Sequence, residues 1–155
     1  MFIKAPSGRK RLNVLGALNA ITHQLIMVTN ESYINADSVC ELLSKIVECS
    51  SGVPITVILD NARYQKCAKV KELALKLGIK LLFLPTYSPN LNLIERVWKF
   101  VKRKVLYSKY YEEFSDFKSA ITGCLEKSDL IHKNELDTLL TLNFQTFKKA
   151  YIVSG

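Results

Sequence analysis

The stretch Pro54-Ile55-Thr56-Val57-Ile58-Leu59 constrains this chain more than any other. A short run rich in β-branched residues, with almost no polar alternation, is the pattern of a central strand covered on both faces. It ends in Asp60. The segment that follows carries Val70, Leu73, Ala74 and Leu77 on one face with Lys and Glu opposite. Gly78 supplies a stop, so the spacing predicts a helix over 66–77. A second apolar run, Ile79-Lys80-Leu81-Leu82-Phe83-Leu84, reads as another covered strand. Strand, helix and strand within about 30 residues make a βαβ unit whose strands are parallel. Ligands of such sheets gather outside the carboxyl ends of the strands, where Asp60 lies.

Upstream, Leu12 to Ala20 and Gln24 to Thr29 are separated by Ile21-Thr22-His23 and read as a β-hairpin. Ser38 followed by Glu41 has capping-box spacing, and Val39, Leu42, Leu43, Ile46 and Val47 recur at helical intervals. A helix over 37–49 follows, with Asp37 at its start. Downstream, Pro85-Thr86-Tyr87-Ser88-Pro89 forces a turn before a helix that begins near Asn92. Its apolar stripe is Ile94, Val97, Val101 and Val105, with Trp98 at the edge. Glu95 falls on the border between that stripe and a basic face containing Lys99 and Arg103. Helical spacing returns at Phe117, Ile121, Cys124 and Leu125, and again from Glu135 to Leu142. Residues 107–155 are therefore expected to be a helical C-terminal extension of a single domain, 1–155.

At 155 residues, 48% hydrophobic and 23% charged, the chain suits one globular domain. No apolar run reaches the roughly 20 residues of a membrane span, and Met1 to Arg11 lacks the apolar core of a secretory signal. A cytoplasmic protein without membrane contact is expected. Cys40, Cys49, Cys67 and Cys124 fall at no metal-like or redox-like spacing, and neither His23 nor His132 has a ligand partner nearby in sequence. Net charge is +8, and the excess is localised: Arg96, Lys99, Lys102, Arg103, Lys104 and Lys109 are uninterrupted by any acid, while Lys4, Arg9, Lys10 and Arg11 form a second cluster. A polyanion partner, most simply nucleic acid, is the natural inference, with a solvated basic surface as the plain alternative.

Between Asp60 and Glu95 stand 34 residues. An aspartate at a strand end and a glutamate in the first turn of a helix crossing that end can converge on one point. Carboxylates placed so hold hard cations, because Mg²⁺ takes oxygen ligands and keeps positions for water and phosphate oxygens. Two such ions promote in-line phosphoryl displacement from both sides. Each acid also has a structural explanation. Asp60-Asn61 can begin a turn, Asn92 with Glu95 matches a capping box, and the Lys and Arg of the later turns suit the helix dipole.

The motifs Ile58-Leu59-Asp60-Asn61-Ala62-Arg63-Tyr64 and Leu84-Pro85-Thr86-Tyr87-Ser88-Pro89-Asn90-Leu91-Asn92-Leu93-Ile94-Glu95-Arg96-Val97-Trp98-Lys99 resemble the second and third acidic motifs of mariner-like insertion-sequence DDE transposases. In that superfamily 34 residues commonly separate those two acids. Ser7-Gly8-Arg9-Lys10-Arg11-Leu12-Asn13-Val14-Leu15-Gly16-Ala17-Leu18-Asn19 is similar to the family's preceding hairpin, and Leu140-Thr141-Leu142-Asn143-Phe144-Gln145 to its C-terminal segment. The resemblance implies a ribonuclease H-like mixed sheet flanked by helices. It implies dependence on Mg²⁺ or Mn²⁺, two ions in the intact site, with Asp60 and Glu95 as catalytic metal ligands. Asn61, Asn92 and Arg96 would shape the site, and Arg9, Lys10, Arg11, Lys99, Lys102 and Arg103 would contact DNA. The reaction implied is hydrolytic cleavage of DNA at a transposon end, then attack of the freed 3′-hydroxyl on target DNA.

The departures carry equal weight. In the family the first acid lies on a strand upstream of the Ser-Gly-Arg hairpin, and this chain begins too late to contain it or the helical region that reads transposon ends. Asn90 and Leu93 stand where the family usually has Asp and Pro. Glu31 and Asp37 do not occupy the first acid's strand position. The expectation is an N-terminally truncated catalytic domain, inactive alone, whose sheet lacks its first strand and exposes an unpaired edge. Its partners would be DNA and a complementing transposase fragment or intact transposase. The competing reading is a non-catalytic DNA- or transposase-binding remnant. A doubly wound nucleotide-binding domain shares the βαβ unit but needs a glycine-rich phosphate loop, which is absent after the first strand.

Overall fold

The computed structural model describes residues 2–4, 10–50, 52–85, 92–106, 111–126 and 150–154. In chain order the elements are β1 (Phe2–Lys4), β2 (Arg11–Asn19), β3 (Leu25–Asn30), α1 (Ala36–Glu48), β4 (Ile55–Leu59), α2 (Arg63–Lys66), α3 (Ala68–Lys76), β5 (Ile79–Phe83), α4 (Ile94–Val101), a π-helical turn (Lys102–Leu106), α5 (Phe114–Glu126) and β6 (Ala150–Ser154). Residues 86–89 of the expected turn, the expected helix over 135–142, the segment 140–145, Arg9, Lys109 and His132 lie outside the described residues.

β2 is the backbone of the sheet. Every residue after Arg11 is buried, because both faces are covered. On one face Leu12, Val14, Leu18 and Ala20 pack against α4 and α5 through Ile94, Val97, Trp98, Phe117 and Ile121. On the other, Leu15 and Ala17 join Val39, Leu42, Leu43 and Ile46 of α1 and Val57 and Leu59 of β4. The period of two along β2 thus feeds two cores, one per helical layer. β3 pairs antiparallel with β2 from Asn13↔Asn30 to Leu18↔Leu25. The Asn19 side chain caps the hairpin turn, accepting from the N–H groups of Ile21 (2.9 Å) and Thr22 (3.0 Å). His23 takes φ +61 at that turn and is half-buried.

The βαβ unit forms as its pattern requires, with β4 and β5 parallel from Ile55↔Ile79 to Leu59↔Phe83. Three local expectations are corrected. The crossover is broken into α2 and α3 at Cys67, whose ψ of 160 is extended rather than helical. β5 is an edge strand rather than a covered one, with Lys80 exposed and Leu82 39% exposed. α1 begins one residue before the expected 37, and its cap is not the Ser38-Glu41 pair. Asn35 is its N-cap, accepting from the Ser38 N–H at 3.1 Å, while the Ser38 hydroxyl accepts from the Asn35 N–H at 3.4 Å. Asp37 sits in the first turn and pairs with Lys69 on α3.

The largest departure is at the centre of the sheet. The strand order is β1-β2-β6-β4-β5, with β3 on the other edge of β2. Ala150–Ser154, expected to be helical, is a strand that pairs antiparallel with β2 (Gly16↔Ser154 to Asn19↔Tyr151) and parallel with β4 (Thr56↔Ala150 to Leu59↔Val153). The unpaired edge expected beside β2 and β4 is therefore filled, by residues from the far end of the sequence. Nothing in five residues, Ala150-Tyr151-Ile152-Val153-Ser154, distinguishes a central strand from the tail of an apolar helix.

Gly16 sets how close α4 comes to this sheet. A Cβ at Gly16 would stand 2.6 Å from Trp98 Cη2, 2.9 Å from Trp98 Cζ2 and 3.1 Å from Ile94 Cδ1. The indole reaches the glycine backbone with its Cη2 and Cζ2 atoms, the close approach that a glycine inside a strand permits. Gly16→Ala is expected to destabilise the fold by about 1–3 kcal/mol, the usual penalty of overpacking. Equilibrium urea unfolding measures it, and an unchanged midpoint would mean that α4 is free to retreat.

Candidate functional site

Strand alternation decides which helix Asp60 meets. Leu59 belongs to the α1 core, whereas Ile58 packs against the α4–α5 core. Asp60, one residue past Leu59, shares the face of Ile58 and so looks toward α4. The ladder continues on its other side, where the Leu84 N–H donates to the Leu59 carbonyl at 2.8 Å. Asp60 is half-buried at the carboxyl end of β4, as the βαβ pattern requires.

Asn92 joins the two acids. Its side-chain NH₂ donates to Asp60 Oδ1 at 2.7 Å. Its side-chain oxygen accepts from the Ile94 N–H at 3.3 Å, and its carbonyl accepts from the Glu95 N–H at 3.2 Å. Asn92 is 1% exposed, so its amide is committed to these contacts. The expected capping box is only partly realised: Leu93 is the N-cap residue and makes no side-chain cap bond, while Asn92 serves the next helical amide. Because the helix seats on Gly16 through Ile94 and Trp98, Glu95 is held at a fixed height one residue from the first of those contacts. Glu95 and Arg96 are half-buried, and Asn61 is exposed.

Tyr64 is a neighbour that the sequence motif alone did not single out as functional. Burial pushes its phenol above the ordinary value of 10.0, and the Asp60 carboxylate adds to the shift. The phenol is thus a reporter on Asp60. A raised tyrosine stabilises nothing at neutral pH, where both folded and unfolded forms are protonated. It makes stability fall as pH rises past 10, when the unfolded chain ionises first.

The basic residues divide by setting. Lys99 and Arg103 are exposed, and Lys102 and Lys104 are half-buried. Arg103 and Lys104 flank the Phe100 ring at 5.9 and 5.6 Å. At the start of β2, the Lys10 ammonium lies 5.3 Å from the Phe114 ring and Arg11 stacks at 4.6 Å on Tyr33 while donating to the Ser32 carbonyl at 2.7 Å. Register relates this cluster to the acids. Ser154 pairs with Gly16 and Val153 with Leu59, so Asp60 lies at the level of Gly16, and Arg11 is five residues farther along β2. At about 3.4 Å per residue that is about 17 Å beyond Asp60, off the same end of the sheet.

Glu31 and Asp37, the acids set aside as replacements for a third ligand, are engaged elsewhere. Glu31 pairs with Lys118 at 2.8 Å, which with the Lys10 ammonium holds its carboxyl below the usual range, and Asp37 pairs with Lys69. Among the described residues no three His, Cys, Asp or Glu side chains gather as a metal cluster. Asp60 and Glu95 provide hard oxygen donors. Two carboxylates suit one Mg²⁺ or Mn²⁺ completed by water and phosphate oxygens, and fall short of a site for two ions.

A family model described as DDE superfamily endonuclease matches residues 2–118. The chain belongs to that family. Among solved structures, this DDE endonuclease chain is similar to the Mos1 transposase catalytic domain, in a structure with raltegravir and Mg. The TM-score is 0.66 at 14% identity, over 90% of this chain and 75% of that one. It is also similar to a chain of a simian T-cell lymphotropic virus intasome bound to the PP2A regulatory subunit B56 gamma. There the TM-score is 0.55 at 15% identity, over 94% of this chain and 48% of that one. The fold is therefore that of the ribonuclease H-like transposase and integrase catalytic domains. A curated relative, an uncharacterized protein y4pE/y4sA of Sinorhizobium fredii, is 30% identical over 93 residues, 59% of this chain and 64% of the relative. The match thus spans under two thirds of that relative and about half of the intasome chain.

Asp60→Asn is expected to lower the Tyr64 titration midpoint while leaving it above 10.0, since burial is the larger cause. Alkaline titration followed by ultraviolet absorbance checks this, with Tyr64→Phe identifying the transition. A midpoint unmoved by Asp60→Asn would separate the phenol from the carboxylate.

Proposed function

We propose that this chain carries the DNA-handling face and two of the carboxylates of a transposase-type DDE endonuclease, acting on DNA in the cytoplasm, with Asp60 and Glu95 as ligands of a Mg²⁺ or Mn²⁺ ion. The observation that carries the reading is the Asn92 bridge, which ties the strand-end acid to the first turn of the helix bearing the second acid. A purely structural turn at Asp60 has no need of a buried amide from a residue 32 positions away. When bound, the ion supplies charge stabilisation at the scissile phosphate. The chain's own residues orient the ligands. Asn92 fixes one Asp60 oxygen, Gly16 and Trp98 fix the height of α4, and Asn61 and Arg96 border the acids.

Lys99, Lys102 and Arg103 on α4 and the π turn, with Arg9, Lys10 and Arg11 at the start of the hairpin, provide the positive charge for a phosphate backbone. Phosphate contacts of this kind position DNA without reading its sequence. With two carboxylates the chain by itself is impaired in cleavage and strand transfer, and a complementing transposase fragment or intact transposase is its natural partner. The second reading, a non-catalytic DNA- or transposase-binding remnant, is favoured by one observation: no third metal-ligating side chain stands with Asp60 and Glu95 among the described residues.

The two readings separate in one experiment. Mn²⁺ binding, followed by electron paramagnetic resonance, is expected for the wild-type chain and lost in Asp60→Asn and Glu95→Gln. DNA affinity is expected to fall steeply with salt. In Lys99→Ala and Arg103→Ala the salt slope should decrease by about 1 each, as loss of one phosphate contact does. Mn²⁺ affinity that is indifferent to both acid substitutions, beside intact DNA binding, favours the remnant. Vigorous Mg²⁺-dependent cleavage by the chain alone overturns the claim of impairment.

A further inference from the structure

β5 ends the sheet on the side away from β2, and among the described residues no strand pairs with its outer edge. The Leu84 N–H donates to the Leu59 carbonyl on β4. Main-chain groups turn to alternate sides along a strand, so Leu82 and Lys80 also face β4, and the N–H and C=O groups of Ile79, Leu81 and Phe83 are turned to the open edge. Side chains alternate as well. Ile79, Leu81 and Phe83 lie on the α3 side of the sheet, in the core that holds Val70 and Ala74, while Lys80 and Leu82 stand on the opposite face. The open main-chain groups and the apolar side chains thus belong to the same three residues.

Those three side chains, with Lys71, Ala74 and Leu75 of α3, line a groove of about 290 Å³. Leu75 is 83% exposed. A single exposed leucine is ordinary, but this one extends an apolar groove beside unpaired main-chain groups. Lysine on an edge strand is a usual guard against pairing. Lys80 does not guard this edge, since its main chain faces β4 and its side chain stands on the face away from the groove.

Charge selects the occupant. Lys71 lines the groove, and the Lys66 ammonium lies 5.5 Å from the Phe83 ring centroid. α3 and β5 together carry Lys69, Lys71, Lys76 and Lys80 against one acid, Glu72. A second copy of this chain, with its net charge of +8, would bring like charge to the same place. A nucleic acid would satisfy the lysines and leave the groove and the open ladder unfilled.

We propose that the outer edge of β5 is a docking site for an acidic protein partner, which adds an extended segment to the sheet. Its apolar side chains fill the α3 groove at alternate positions, and acidic ones between and beyond them meet Lys80, Lys66 and Lys71. Strand addition takes its affinity from main-chain hydrogen bonds and its selectivity from alternate side chains. The acids add specificity and speed of association more than affinity. Neither Asp60 nor Glu95 takes part, so the site stands apart from the metal reading. It is nevertheless close to it: Phe83 pairs with Leu59, one residue before Asp60, and a docked segment would run two strand spacings, about 10 Å, from β4.

The probe is a fluorescein-labelled peptide of about seven residues that alternates valine with glutamate, the length of a short strand, and the protein is the full chain. One peptide is expected to bind per chain. Leu75→Glu, at an exposed position, weakens binding by about tenfold or more, since it puts a charge into the apolar groove. Lys71→Glu weakens it by about threefold or more, within the range of an exposed charge pair. Amide hydrogen exchange by NMR supplies a readout that charge attraction alone would not move. In the free chain the Leu81 and Phe83 amides are expected to exchange faster than that of Leu82 by about tenfold or more, and to slow on peptide binding. Failure of the peptide to bind overturns the docking site, as does binding that leaves Leu81 and Phe83 unprotected or is indifferent to Leu75→Glu. Leu81 and Phe83 amides already as protected as Leu82 in the free chain mean a covered edge and also overturn it. Dimers of the chain that are lost in Leu75→Glu and exclude the peptide make a second copy the occupant, and duplex DNA that protects the same amides makes it a nucleic-acid groove; either result overturns the acidic partner.

Discussion

The close contact of Trp98 with Gly16 is the constraint on which the site depends. A helix that carries a metal ligand is useful only at a defined height above the sheet, and side chains of ordinary size keep packed helices several ångströms farther off. Here the indole rests on bare backbone, with Ile94 beside it. That seat determines where Asn92 and Glu95 come down relative to Asp60. The buried indole N–H finds no partner among the described residues, an energetic penalty accepted in exchange for shape. The hydrogen bond from Asn92 to Asp60 then closes a short path between the end of β4 and the start of α4.

What was legible in the sequence follows from how locally each feature is determined. The βαβ unit, the hairpin, the strand-end Asp60 and the helix carrying Glu95 are written in periodicity over a few residues, and all of them form. Asn92 was visible as a residue that aims the helix, though its bond to Asp60 was not, because that bond depends on the crossing of α4 over β4. The features that sequence reasoning missed have non-local causes. β5 has the composition of a covered strand but lies at the edge of the sheet, where nothing covers Leu82. The cap of α1 at Asn35 uses a serine at the third helical position instead of the glutamate that the usual signature demands. A glycine in the middle of β2 was itself the signal for a close approach, and Gly16 could have been read so.

β6 was the least legible element for a related reason. Its partners are Gly16–Asn19 and Thr56–Leu59, close to a hundred residues or more away in the chain, and pairing at such separation leaves no mark in local pattern. The resemblance to a known family indicated a missing central strand and hence an open edge. An open edge between two half-sheets already clasped by helices is a strong acceptor, because the amides and carbonyls of both borders are aligned and would otherwise lose their hydrogen bonds on burial. A short apolar segment with β-branched residues meets that demand whatever its origin. The borders of β2 and β4 thus explain the strand, rather than the strand's own sequence explaining its place.

The electrostatics of the two ends of the sheet give the arrangement its direction. Asp60 lies beyond the carboxyl end of β4, tied through Asn92 to the first turn of the helix that carries Glu95, and Lys10 and Arg11 lie off the same end, while Lys99 on α4 and Arg103 on the π-helical turn follow Glu95 in the chain. Positive charge on both sides of a carboxylate pair draws in a polyanion. The carboxylates then repel the phosphate nearest to them unless a cation intervenes. At separations of a few ångströms that repulsion is several kcal/mol even at an effective dielectric near 20. DNA affinity and metal affinity at such a site are consequently coupled, each raising the other. A chain with the basic flanks but an incomplete ligand set would bind DNA mostly through the flanks and hold the phosphate away from the acids.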